Sequence, residues 1–66
     1  MIKVTYSSPL ARLKKIKVGD EIIDEYDSSG RVIRITENIK DDVIEFTFLL
    51  DNKQTIFIMS SLAHLA

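Results

Sequence analysis

The stretch Val43-Ile44-Glu45-Phe46-Thr47-Phe48-Leu49-Leu50 decides the fold. Ile44, Phe46, Phe48 and Leu50 share one side of an extended chain, and Val43, Glu45, Thr47 and Leu49 share the other. This period of two is the signature of a strand with one side in a core. Asp51-Asn52 supplies a turn, and Thr55 to Met59 is expected to return antiparallel to it. Upstream, Arg31 to Thr36 reads as a strand, with Asn38 to Asp42 as a polar connection. Glu21 to Tyr26 reads as its hairpin partner across Asp27-Ser28-Ser29-Gly30, whose composition favours a turn.

Nearer the N-terminus, Ile2, Val4 and Tyr6 alternate with Lys3 and Thr5, which predicts a strand ended by Ser7-Ser8-Pro9. Ser8 followed by Pro9 suits a helix start, with Ser8 as the capping side chain. One or two helical turns are expected from Pro9 to about Lys15, with Leu10, Leu13 and Ile16 on one face. Lys17-Val18-Gly19-Asp20 is a turn, in which Gly19 can take a positive φ. Ser60 to Ala66 is expected to form a final helical turn, with Leu62 and Leu65 as its packing face. The expected fold is mostly β: a small antiparallel SH3-like barrel or curled sheet of four to five strands. A short helix lies near each end, and residues 1–66 form a single domain.

Two stretches carry a family likeness. Lys17-Val18-Gly19-Asp20-Glu21-Ile22-Ile23, continuing to Gly30-Arg31-Val32-Ile33-Arg34-Ile35, resembles the start of an SH3-like barrel. In that superfamily a "VGD" turn leads into one strand, and a "G-R/K-V-x-x-I" pattern opens the next. Thr55 to Leu65 resembles the end of Tudor-like and KOW-like members. The likeness spans roughly residues 17–65 and implies a barrel. Those barrels usually add a closing strand after the helical turn. Here Ile2 to Tyr6 would have to fill that edge, or the sheet stays open.

Composition narrows the function. The chain has 66 residues and no cysteine, so disulfides are excluded and a reducing compartment, the cytoplasm, is the expected address. His64 is the single imidazole, which argues against the usual structural zinc sites. No apolar run approaches the ~20 residues that cross a bilayer, so no membrane role is expected. The net charge of −1 hides a segregated pattern. Residues 1–19 hold Lys3, Arg12, Lys14, Lys15 and Lys17 without an acid. Residues 20–27 hold Asp20, Glu21, Asp24, Glu25 and Asp27 without a base.

Three features besides the basic segment bear on chemistry. Asp20, Asp24 and Glu25, or Asp41 with Asp42, match no metal-loop spacing and read as a solvated edge that resists wrong pairing. His64, with Ser60 and Ser61 near it, sits on a terminal turn that cannot hold a base and a nucleophile rigidly. No catalytic residue, metal or cofactor is therefore assigned, and the chain is not expected to be an enzyme. The third feature is an excess of apolar side chains on both sides of the sheet, which needs a covering layer or a partner.

The expected function is a non-enzymatic binding module acting on a protein or on a second copy as a homodimer, with Tyr26, Val32, Leu49 and Phe57 as its contact residues. A free-standing chain of this size resembles in format small phage and plasmid accessory proteins, many of which inhibit a host protein. The alternative is an SH3-like nucleic-acid binder using Arg12, Lys14, Lys15, Lys17, Arg31 and Arg34. A second alternative is a structural subunit whose strand edges pair between copies.

Overall fold

The computed structural model describes residues 1–61. Five strands form one sheet in the order in which they occur along the chain: β1 (Ile2–Lys3), β2 (Glu21–Ile23), β3 (Ser29–Lys40), β4 (Val43–Leu50) and β5 (Thr55–Ser61). One helical turn, α1 (Leu10–Leu13), lies between β1 and β2. β4 runs between β3 and β5, hydrogen-bonded on both edges. Its partners are β3, with Thr36 opposite Thr47, and β5, with Ile58 opposite Phe46.

The core lies on the side of β4 that the sequence marked. Ile44, Phe46, Phe48 and Leu50 are buried, together with Ile56 and Ile58 of β5 and Val32 of β3. Phe46 and Phe48 stack with ring centroids 5.9 Å apart. Offset aromatic pairs of this kind contribute about 0.5–1.5 kcal/mol beyond the area they bury. Leu10 and Leu13 of α1, Ile16 after it, and Val4 and Ile22 close the core from the same side.

The sheet is mixed and does not close into a barrel. β1 pairs with β2 in parallel, Ile2 opposite Ile22, where an antiparallel sheet was expected. It stops at Lys3 and not at Tyr6, although the Val4 amide still donates to the Ile23 carbonyl at 2.8 Å. β2 likewise ends at Ile23, three residues short of Tyr26. The Asp24 carboxylate there accepts the amides of Tyr26 and Ser28 at 2.9 and 2.8 Å and coils the chain into a turn. β3 is longer than its composition suggests. Asn38, Ile39 and Lys40 are polar or exposed, yet they pair with Glu45, Ile44 and Val43 because Asp41-Asp42 makes a tight hairpin.

The helices differ from expectation too. α1 spans four residues, and its first residue follows Pro9 with no side-chain cap. Ser8 points the other way, accepting the Thr5 amide at 2.8 Å through its Oγ. Ser60 belongs to β5. Ser61 does too, and the rest of the expected C-terminal helix, with Leu62, His64 and Leu65, lies outside the described residues.

One inserted residue changes which side chains face the core. Val32 opposes Leu50 and Arg34 opposes Leu49, so Ile33 is an extra residue, a β-bulge. Strict alternation would put Val32 and Ile35 on opposite sides. With the bulge, Val32 is fully buried and Ile35 packs against the same core, while Ile33 stays half-exposed.

The β4–β5 connection clamps the start of β3. The Asp51 amide donates to the Arg31 carbonyl at 2.9 Å, and Asn52 Nδ2 donates to the Ser29 carbonyl at 2.7 Å. A Cβ on Gly30 would lie only 3.0 Å from Asp51 Oδ1 and 3.1 Å from Leu50 Cβ, so any larger residue would push these side chains aside by a few tenths of an ångström. In the same connection Lys53 sits at φ 70°, a left-handed conformation that suits glycine far better than lysine. Lys53→Gly should therefore raise stability by about 0.5–1 kcal/mol, measured as a higher urea midpoint with an unchanged slope.

Candidate interaction surface

β4 has a second side, and α1 does not cover it. The apolar residues of α1 join the core on the side of Phe46 and Phe48. On the outer side the rows run Arg34, Leu49, Thr55, then Thr36, Thr47, Phe57, then Asn38, Glu45, Met59. Leu49 and Thr47 are half-buried by their neighbours, whereas Phe57 and Met59 are 57% and 54% exposed. Of the four contact residues expected from the sequence, Val32 is misplaced. It sits at 0% exposure under the sheet, because the bulge at Ile33 turns it inward.

Tyr26 is 85% exposed and leaves the sheet altogether, in the turn between β2 and β3. The fold nevertheless brings it to Phe57. The open side of β5 faces the segment that follows β1, and a small cleft between them is lined by Val4, Tyr6, Glu25, Tyr26, Phe57 and Ile58 among others. It adjoins a wider groove of about 370 Å³ between Tyr6–Ala11 and Met59–Ser61. Tyr6, itself 78% exposed, lines both.

The chain has five aromatic residues. Two are stacked in the core, and the other three, Tyr6, Tyr26 and Phe57, converge on this cleft. Tyr6 was not singled out from the sequence, where it appears as the end of an alternating strand. Its position beside the Ser7-Ser8-Pro9 stop was the signal that it leaves the sheet.

The acidic run has structural work at this cleft. Glu25 accepts the Tyr6 amide at 3.0 Å, which ties the N-terminal arm to the β2–β3 turn. Asp20 accepts the Lys17 amide at 2.9 Å and closes the turn containing Gly19, whose φ is +102°. Glu21 lies 3.4 Å from Arg31, an exposed ion pair of little energetic weight. Among the described residues no group of three or more His, Asp or Glu is placed to hold a metal ion. Among them too, no helix is long and apolar enough to cross a membrane.

Of the basic residues named above, Arg12, Lys14, Lys15 and Lys17 are exposed on and just after α1, and Arg34 lies on the outer side of β3. Arg31, also exposed, lies beside Glu21 at the β2–β3 pairing. No family model matches this chain, and no curated protein and no solved structure matches it.

The turn that presents Tyr26 depends on one carboxylate. Asp24→Ala removes the acceptor of two amides and should cost about 1–2 kcal/mol. Native-state hydrogen exchange at Tyr26 and Ser28 should speed up, while exchange at Phe46 and Phe48 changes only by the global loss.

Proposed function

We propose that this chain is a small non-enzymatic protein-interaction module, an accessory or inhibitor protein that acts by occupying a surface of its partner. Its contact surface in this reading is the cleft beside β5, with Tyr6, Tyr26 and Phe57 as anchors and Leu49 and Met59 on the adjoining outer side. The observation that carries the reading is the convergence of all three non-core aromatics on one cleft. Aromatic side chains dominate binding energy at interfaces because they bury a large area at small entropic cost. Exposed apolar side chains gathered in one place, and not scattered singly, mark such surfaces.

The nucleic-acid reading rests on Arg12, Lys14, Lys15, Lys17 and Arg34. One structural fact favours it: Tyr6 and Ala11 line the same groove, so an aromatic lies next to the basic segment. Against it, the acids from Asp20 to Asp27 are folded into neighbouring turns, and a phosphate backbone would meet them.

Salt and two variants separate the readings. Capture of a protein from a host lysate should persist in high salt and fall by about thirtyfold or more for Phe57→Asp, the scale of a hot-spot residue. It should be unchanged for Lys14→Glu/Lys15→Glu. Oligonucleotide binding that falls steeply with salt and vanishes in the double lysine variant would instead establish the nucleic-acid reading.

A further inference from the structure

β3 is twelve residues long, but β2 pairs with it only from Ser29 to Arg31. The rest of its far edge has no strand partner among the described residues. Its hydrogen-bonding direction follows from the hairpin. The Leu50 amide donates to the Gln54 carbonyl, so the even-numbered residues of β4 bond to β5 and the odd-numbered ones to β3. Val43, Glu45, Thr47 and Leu49 thus engage Lys40, Asn38, Thr36 and Arg34. Ile35, Glu37 and Ile39 then direct their amides and carbonyls away from the sheet. Ile39 adds a side chain that is 65% exposed at the same edge.

We propose that this edge pairs with the same edge of a second copy, antiparallel and about a two-fold axis at Asn38. Two-fold symmetry allows few registers in which outward-bonding residues meet, and charge and occupied backbone groups decide between them. An axis at Glu37 sets Glu37 against itself and Arg34 against Lys40 twice, three like-charge contacts. An axis at Thr36 drives the second copy's Lys40 against Val32, whose amide and carbonyl are already bonded to Asp20 and Gly19. An axis at Asn38 places Glu37 opposite Ile39 and Thr36 opposite Lys40. The two Glu37 side chains fall on a diagonal, where repulsion is weaker.

In that register Arg34 of each copy faces the Asp41-Asp42 turn of the other, giving two complementary charge contacts. The Glu37–Ile39 pairs on the two sides of the axis exchange two backbone bonds each, four in all. The occupied backbone of Val32 rejects the axis at Thr36, while charge rejects the axis at Glu37 and favours the one at Asn38, a use of edge charges familiar from sheets that avoid wrong pairing. This edge is separate from the aromatic cleft, so the dimer would leave that surface open to a partner.

Light scattering and sedimentation on the full chain test the pairing. The wild type should dimerise with concentration. Arg34→Glu alone, and Asp41→Asn/Asp42→Lys alone, should each weaken the dimer by about tenfold or more, since both contacts become repulsive. Mixing the two variants should restore a heterodimer, because every contact is then again between opposite charges. Circular dichroism confirms that each variant is folded. Hydrogen exchange on the wild type gives a second readout, in which the Glu37 and Ile39 amides slow as the dimer fills. A wild type that stays monomeric at high concentration would overturn the proposal. So would a dimer indifferent to both variants, or variants whose mixture stays monomeric.

Discussion

The dry side of β4 is the constraint on which the rest of the molecule depends. Ile44, Phe46, Phe48 and Leu50 are each at most 1% exposed. Fully burying side chains of this size is worth about 1.5–3 kcal/mol apiece, in a chain too short to have much stability to spare. A strand with one side this apolar needs hydrogen-bonded neighbours on both edges and a lid over that side. β3 and β5 provide the neighbours, and the short α1 with Ile16 and Val4 provides the lid. Phe57 and Met59 of β5, which these elements do not use, are left exposed on the outer side.

A chain without cysteine has to fix its connections by other means. Here carboxylates and amides close the turns. Asp24, Asp20 and Glu25 hold the segments around β2, and Asp51 with Asn52 ties the β4–β5 connection to β3. The segregation of charge along the chain has a local cause in this arrangement. Acids gather from Asp20 to Asp27 because that segment makes turns whose free amides need acceptors. The lysines gather around α1, which exposes every side chain outside its leucine face.

Legibility in the sequence varied with the kind of signal. β4 could be read residue by residue, because alternation there is strict and the core side is uniformly apolar. The turn at Gly19 and the reversal at Asp51-Asn52 were equally plain. Val32 was read to the wrong side because period-two reasoning assumes no insertion. The one available sign was that Val32 and Ile35, three apart, were both apolar beside a continuous core strand. Asn38 to Lys40 looked like a loop because pairing to a good strand, and not their own composition, extends β3 there. Parallel pairing of β1 is a long-range choice that no local pattern encodes. Tyr26 and Phe57 could be listed together from sequence, but their common cleft could not, since it depends on how the sheet curls past Tyr6.

The parallel contact between Ile2 and Ile22 carries a consequence for the order of assembly. Hairpins can close as soon as their second strand exists, but this pairing must wait for the chain from Val4 to Asp20 to loop back. Its template, β2, is itself docked on β3 through Glu21 and Arg31, and β3 is docked on β4. The residues of this N-terminal arm are thus among the last to find their places. Until they do, Val4 is missing from the core and Tyr6 from the rim of the cleft. Folding of the N-terminal arm and formation of that surface are one event.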